Sequence, residues 1–165
     1  SKHHFKEILQ HKMKLIKIKN IRIEHMYGPN DDENKLLNWL LLNFERRKKT
    51  IRLTAGTQFR DFIHVDDVCS AIICIIKNKI TISKMVNYDV CSGKLITVKE
   101  FINLVKKIYE EVNGKIVTKL EFGAIPFRKN EVLKPQINNS VLLNLGWRPK
   151  IDIEDGIKSI IKGLG

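Results

Sequence analysis

Stretches with strand-like hydrophobic spacing alternate with stretches of helical spacing along the whole chain, and this alternation constrains the fold most. Residues 15–26 place apolar side chains between charged ones in a strand-like order, and residues 32–47 repeat them at helical intervals. Neither an internal repeat nor a low-complexity linker interrupts the pattern. Because such alternation is typical of sheets covered by helices, the sequence predicts an α/β fold.

The remaining predicted elements continue this order. Further strands are predicted at residues 51–53, 59–65, 85–90 and 116–122, and further helices at residues 2–14, 68–77, 97–112, 139–145 and 152–162. Residues 15–26 are predicted either as a strand throughout or as a strand that is entered through a polar turn at Lys19 and Asn20.

Two helix starts carry recognisable capping residues. Asp66 or Asp67 is expected to cap the helix over 68–77, because a carboxylate there accepts otherwise unpaired amide protons. Thr97 and Glu100 have the spacing of a capping box, in which each side chain binds the backbone of the other residue. The second signal predicts a helix that begins directly after Thr97.

Length and hydropathy set the class of protein. A chain of 165 residues, 43% of them hydrophobic, is large enough for one ordered domain or one piece of a larger one. No run of about 18 apolar residues occurs, so a membrane span is excluded. The first residues have neither an initiator Met nor a signal-peptide layout, so we expect a cytoplasmic protein whose chain starts at a cut end.

The net charge of +12 keeps anionic partners open. The basic residues are nevertheless spread along the sequence, and only Arg46 to Lys49 form a cluster. These four follow a predicted helix, where cations interact favourably with the helix carbonyls. A solvated helix end is therefore favoured over a nucleic-acid footprint, and we expect neither nucleic acid nor membrane as a partner.

The cysteines and histidines do not indicate a metal centre. The three cysteines, Cys69, Cys74 and Cys91, show no CxxC spacing and lie among apolar residues, which predicts buried free thiols. The five histidines, His3, His4, His11, His25 and His64, are adjacent or scattered rather than spaced as ligands. We therefore predict no metal site.

Five blocks occur in an order that resembles a known family: MYGPNDDENK, GTQFRDFIHVDDVCSA, NYDVCSGKLITVKEF, PFRKNE and LGWRPKIDIEDGI. Together they resemble the C-terminal part of an extended short-chain dehydrogenase/reductase of the NAD-dependent epimerase/dehydratase type. Members of that family have a Rossmann-type fold, modify nucleotide sugars and take part in polysaccharide biosynthesis. The resemblance implies that residues 1–165 are a single C-terminal fragment in which the last strands of the dinucleotide-binding fold interleave with the substrate-binding lobe.

The family's catalytic motif is Tyr-x-x-x-Lys, and Ser1-Lys2 resembles its end. Lys2 would then be the catalytic lysine, which holds the nicotinamide ribose and lowers the pKa of the tyrosine. The tyrosine would lie two residues before Ser1, and no glycine-rich cofactor turn occurs in the chain. The resemblance thus implies NAD or NADP in an intact parent enzyme and predicts that this chain alone does not turn over. An equally open interpretation makes Lys2 a terminal lysine without a role.

Four residues match family positions that contact the substrate. Asn34 and Lys35 follow the YGP loop at the position that approaches the sugar nucleotide, although both also suit a helix surface. Arg60 and Arg128 match arginines that bind the diphosphate, and a planar guanidinium suits phosphate oxygens. Glu131 is expected either to orient Arg128 through a salt bridge or to be exposed.

His25 departs from the commoner family pattern, which has Asn before the YGP segment. It follows Glu24 in a strand that should be buried, where two polar groups must find partners. We expect His25 to line the nicotinamide and sugar pocket; the alternative is an exposed strand end. Asp61 is interpreted as an ion-pair partner of the neighbouring Arg60, rather than as a catalytic carboxylate.

These observations predict the C-terminal portion of an NAD(P)-dependent nucleotide-sugar epimerase/dehydratase or 4-keto reductase. Its partner would be a nucleotide-sugar substrate, and the family often forms homodimers. One alternative is a non-catalytic remnant or binding module of the same family. A basic nucleic-acid-binding domain is the other, and it would require a steep salt dependence of binding.

Overall fold

The computed structural model describes residues 18–78 and 86–163, together with Phe5, Glu7 and Ile8. The strands there are β1 (Lys19–Ile23), β2 (His25–Tyr27), β3 (Thr50–Arg52), β4 (Phe59–His64), β5 (Val86–Val90), β6 (Leu95–Thr97) and β7 (Lys119–Glu121). The helices are α1 (Leu36–Glu45), α2 (Val65–Lys77), α3 (Val98–Asn113), α4 (Ser140–Asn144) and α5 (Ile153–Gly163). The predicted helix over residues 2–14 lies almost wholly outside the described residues.

The strands pair mainly in parallel. β1 runs parallel to β5, with Ile21 opposite Tyr88, and β3 runs parallel to β7. β4 lies between a parallel neighbour, β2, and an antiparallel one, β6. Parallel neighbours require long crossover connections, and helices supply them here. The predicted α/β class is confirmed.

Two hydrophobic clusters hold these layers together. The larger one buries the facing sides of α1, α3 and α5, with Leu40, Phe101 and Ile157 fully covered. The smaller one packs α2 and β5 against Trp147, whose indole N–H donates to Ser70 Oγ at 2.9 Å. The first cluster matters for the site, because it supports β2 and the start of α1.

Close packing between α5 and β2 depends on one glycine. A Cβ built at Gly156 would collide with the hydroxyl of Tyr27 and lie 3.2 Å from Cδ2 of His64. Only a residue without a side chain lets the first turns of α5 approach β2 this closely. Tyr27 is thereby held in place, 4% exposed.

The structure corrects three local predictions. Of the two alternatives for the first strand, the polar turn is wrong, because Lys19 and Asn20 are the first residues of β1 and pair with Val86 and Asn87. β6 was not predicted, because it has only three residues and its last one, Thr97, is already part of the capping box.

The third correction concerns the start of α2. Its N-cap is His64, whose Nδ1 accepts the Asp66 amide proton at 3.2 Å. Asp67 instead accepts the backbone N–H groups of Lys150 and Ile151, at 2.9 and 3.0 Å. The carboxylate thus joins α2 to the segment before α5 rather than capping its own helix.

Other local predictions have mixed outcomes. The capping box of α3 is confirmed, with both reciprocal hydrogen bonds between Thr97 and Glu100 present. The prediction of three buried thiols is wrong in part: Cys91 is buried, Cys74 is half-buried and Cys69 is exposed. No helix in the described ranges is long and apolar enough to cross a membrane.

Candidate functional site

A cavity of about 410 Å³ opens beside β2 and is the centre of the candidate site. Its apolar walls come from β2, the beginning of α1, β4 and α3, and include Tyr27, Leu37, Phe62 and Phe101. Its polar side chains are Glu24, His25, Asp31, Lys35 and Asn38. Two of the predicted site residues, His25 and Lys35, therefore meet at one cavity although ten positions separate them.

His25 lies on the cavity wall with its ring against Phe62. The ring centroids are 5.9 Å apart in an edge-to-face arrangement, and Phe62 in turn stacks on Phe101 at 3.8 Å. Burial lowers the pKa of His25, and the positive charges of Arg60 and Lys35 add to this effect against an opposing contribution from Glu131. The side chain is half-exposed, so a neutral imidazole faces the opening.

Glu24 is the carboxylate next to that imidazole. One of its oxygens lies 3.9 Å from His25 Nδ1. Burial raises the pKa of Glu24, and repulsion from Asp61 and Asp89 raises it further. A carboxyl that resists ionisation can hold or accept a proton at the edge of the cavity.

Lys35 and Asn34 have different surroundings. The Lys35 ammonium lies 3.4 Å from Asp31 Oδ1 and faces the cavity. The Asn34 side chain turns back on its own loop and donates to Asp32 Oδ1 at 2.9 Å. Lys35 is thus positioned for a ligand in the cavity, whereas Asn34 is an exposed member of the turn before α1.

Arg60 is held by the segment that follows β7. Its Nη1 donates to the carbonyls of Phe59 at 2.6 Å and Val132 at 2.7 Å, and its Nη2 forms an ion pair with Glu131. The expectation that Glu131 orients Arg128 is therefore wrong, because the Glu131 carboxylate pairs with Arg60. The Arg60 side chain is only 11% exposed, so these contacts fix its orientation.

Arg128 lies in the turn that this contact secures. The Glu131 amide donates to the Arg128 carbonyl at 3.1 Å, and Asn130 adopts a positive φ of 65° within the turn. The Arg128 side chain is exposed, and its guanidinium has no hydrogen-bond or ion-pair partner within residues 18–78 and 86–163. The Arg60 guanidinium, in contrast, is held by three hydrogen bonds.

Asp61 does not form the ion pair expected from its position beside Arg60. Its two carboxylate oxygens accept the backbone N–H groups of Ser92 and Gly93, at 2.7 and 2.8 Å. Burial raises the pKa of Asp61 although these hydrogen bonds oppose the shift. Its role is to anchor the turn after β5.

Lys2 lies outside the described residues, so its predicted role stays a prediction.

The arrangement supplies cations beside an apolar cavity. Lys35 lines the cavity, Arg60 is near enough to affect the pKa of His25, and Arg128 is joined to Arg60 through Glu131. Sequence reasoning missed the Arg60–Glu131 pair, because 71 positions separate the two residues and no local pattern links them. Guanidinium groups with free N–H donors are suited to phosphate oxygens.

Solved structures of the same architecture define the class of protein. The structure superposes on a UDP-N-acetylglucosamine 4-epimerase from Methanobrevibacter ruminantium with a TM-score of 0.80 at 18% identity, over 99% of this chain and 51% of that one. A UDP-glucose 4-epimerase from Thermotoga maritima gives a TM-score of 0.78 at 23% identity over the same shares. The chain therefore has the Rossmann-type α/β fold of these enzymes.

Sequence comparison identifies the family. The model of the NAD dependent epimerase/dehydratase family matches residues 1–91, and the chain belongs to this family. A CDP-abequose synthase from Salmonella typhimurium is 34% identical over 99% of this chain and 54% of its own length. GDP-L-fucose synthase 1 from Arabidopsis thaliana is 26% identical over 81% of this chain and 41% of its own. The chain thus spans about half the length of the relatives it matches.

Proposed function

We propose that the chain is the substrate-binding portion of an NAD(P)-dependent enzyme that acts on a nucleotide sugar, and that it grips the nucleotide diphosphate. The family members similar to it are epimerases, dehydratases and sugar-nucleotide synthases. Residues 1–165 would form one C-terminal unit that contributes strands to the cofactor-binding fold and supplies the substrate-binding lobe. The reaction of the complete enzyme would be an epimerisation, a dehydration or a 4-keto reduction.

The observation that carries this proposal is the cationic rim beside an apolar cavity. Lys35 lines the cavity, Arg60 retains N–H donors and is near enough to lower the pKa of the cavity residue His25, and the Arg128 side chain is exposed. A diphosphate needs several charge-assisted hydrogen bonds from fixed donors, and a sugar ring needs adjoining surface. Asn34 would contribute only by shaping its turn, because Asp32 Oδ1 accepts from both its backbone N–H and its side-chain amide.

The nucleotide that we favour is cytidine diphosphate. Two CDP-abequose synthases are 34% and 32% identical to this chain, whereas the GDP-L-fucose synthases and UDP-glucose 4-epimerase that match it are 25–28% identical. A role in polysaccharide biosynthesis, which the family resemblance implies, is part of the same proposal.

The nicotinamide cofactor would meet this chain at His25. The cavity wall there places His25, whose pKa is lowered by burial, beside the apolar side chains of Met26 and Phe62, which fits a flat ring that carries an amide. When bound, NAD or NADP would supply hydride transfer to or from the sugar. His25 would position the ring, Glu24 would hold a proton nearby, and Lys2 would be the catalytic lysine of the complete enzyme.

Titration of the 165-residue chain with CDP, CMP, UDP, GDP and dTDP by isothermal calorimetry tests the proposal. We expect CDP to bind more tightly than CMP by about tenfold or more, because the second phosphate adds hydrogen bonds to charged donors. Arg128→Ala should remove most of that preference. Equal affinity for CDP and CMP, or no affinity for any diphosphate, would contradict the proposal.

A further inference from the structure

We infer that Glu131 is a positioning residue for the diphosphate grip: it orients Arg60 so that one edge of the guanidinium stays free for the ligand. The inference rests on the proposed function. It begins from the Arg60–Glu131 ion pair, which joins the first residues of β4 to the segment after β7. An acidic side chain beside a proposed phosphate site requires a physical reason.

The hydrogen bonds of Arg60 account for three of its donors. A guanidinium has five N–H groups. Both hydrogens of Nη1 are used by the Phe59 and Val132 carbonyls, and one hydrogen of Nη2 is used by Glu131. Nε–H donates to no group in the parts of the chain that the structure describes, and Nη2 carries a second N–H besides the one that binds Glu131.

Nε and Nη2 lie on the edge of a guanidinium that can donate to two acceptor oxygens at once. Arg22 shows this use in the same molecule, since its Nε and Nη2 donate to the two oxygens of Asp89. Arg60 Nε is not among the buried unpaired polar atoms, which are Gln58 Oε1, His64 Nε2 and Thr118 Oγ1 in the described ranges. Nε of Arg60 is unpaired in the described ranges and is not fully buried, so it is the donor that we assign to the ligand.

Glu131 also connects the two arginines of the proposed site. Its carboxylate holds Arg60, and its amide closes the turn on the Arg128 carbonyl. The Leu133 carbonyl adds a second tie to β4, because it accepts the Phe59 amide proton at 2.7 Å. The segment from Arg128 to Leu133 is thus fastened to β4 at three points, through Glu131, Val132 and Leu133, and the Arg128 backbone is bonded to Glu131 within it.

The direction in which Glu131→Ala changes CDP affinity distinguishes a positioning role of Glu131 from a purely electrostatic one. Glu131→Ala removes a negative charge near the proposed diphosphate, so a purely electrostatic effect would strengthen CDP binding. Loss of positioning would weaken it, because the Arg60 side chain would have to be ordered at the moment of binding. We expect Glu131→Ala to weaken CDP binding by about tenfold.

Glu131→Gln provides the conservative comparison. The amide oxygen can still accept from Arg60 Nη2, whereas the charge is gone, so we expect CDP affinity equal to or better than that of the natural chain. Arg60→Ala combined with Glu131→Ala should bind no more weakly than Arg60→Ala alone, because Glu131 acts through Arg60. Glu121→Gln, which alters the Lys119–Glu121 pair at 3.1 Å, serves as the matched control.

Calorimetric titration with CDP at two salt concentrations, with thermal melts of each variant, completes the test. CDP affinity that is unchanged or increased in Glu131→Ala would overturn the inference, as would a double variant weaker than Arg60→Ala. If Arg60→Ala and Arg128→Ala both bind CDP normally, the proposed function itself fails. If they bind weakly while Glu131→Ala binds normally, only the positioning role fails.

Discussion

Two arginines on strands of different sheets show how the same side chain serves two purposes in this fold. Arg22 on β1 is half-exposed, and its Nε and Nη2 are both used on the buried carboxylate of Asp89 in the paired strand β5. Arg60 on β4 is far less exposed, yet its contacts are made mainly through Nη1 and leave Nε unpaired within the described chain. Exposure alone would have assigned the binding role to Arg22.

The difference lies in which donors are consumed. Arg22 and Asp89 are directly opposite in the parallel register of β1 and β5, so their pair is complete within the sheet. The contacts of Arg60 come from the adjacent Phe59 carbonyl and from a distant loop, and they orient the guanidinium while leaving Nε–H unpaired within the described chain. A fixed guanidinium with a free edge is preorganised for an anion, and a guanidinium with a filled edge is a structural link.

Arg60→Ala gives the largest effect expected from this comparison. Loss of hydrogen bonds to a charged ligand, worth about 1.5–3 kcal/mol, should weaken CDP binding by about 10-fold to 100-fold. Calorimetric titration of the variant measures this directly.

Arg52→Ala is the matched control for that variant. Arg52 is exposed and donates to the Ala124 carbonyl at 2.8 Å, away from the cavity. We expect its CDP affinity to stay within about twofold of the natural value. Equal losses in the two variants would mean that CDP responds to the overall positive charge rather than to Arg60.

Arg22→Ala should lower the stability of the chain and leave its CDP affinity almost unchanged. The buried Asp89 side chain would lose both hydrogen bonds from Arg22, so the free energy of unfolding should fall by about 1–2 kcal/mol. CDP affinity should change by less than about twofold. Chemical denaturation and titration of one preparation check both expectations, and a loss of affinity larger than the loss of stability would reverse the roles of the two arginines.

The sequence alone predicted the local parts of this picture and missed the distant ones. Thr97 and Glu100 are three positions apart, so the helix start they define is visible in the sequence. His25 and Lys35 were linked to one pocket by the family resemblance, and the cavity contains both. The Arg60–Glu131 pair depends on how a loop returns to β4, and Glu131 was therefore assigned to the wrong arginine.

The same limit explains the misassigned aspartates. Asp61, Asp66 and Asp67 look alike in sequence, and proximity suggested an ion pair and two caps. Asp61 and Asp67 instead bind backbone amides about 30 and 80 positions away. Such partners are set by which loops converge at a sheet edge, and hydrophobic periodicity does not contain that information.

The smallest expected effect concerns Glu24, whose pKa is affected by the charges of both Arg22 and Arg60. Burial raises the pKa of Glu24, repulsion from Asp61 and Asp89 adds to this, and Arg22 and then Arg60 oppose it. A carboxyl whose pKa is higher in the folded state binds its proton more tightly when folded. Its contribution to stability is therefore complete below the pKa of the unfolded chain and is lost as the pH rises through the folded pKa.

Glu24→Gln replaces the ionisable carboxyl with an amide, so the pH-dependent contribution of Glu24 to stability is lost. We expect the stability of the natural chain, relative to the variant, to fall as the pH rises from about 4 to 7, so that the variant is the more stable at neutral pH. Denaturation curves across this range measure the difference, with the exposed Glu33→Gln as control. Introducing Glu24→Gln into Arg22→Ala should produce a larger gain than introducing it into Arg60→Ala, because Arg22 is the stronger of the two opposing charges. A difference that is constant across the pH range, or the reverse order of the two arginine backgrounds, would show that Glu24 is not coupled to them in this way.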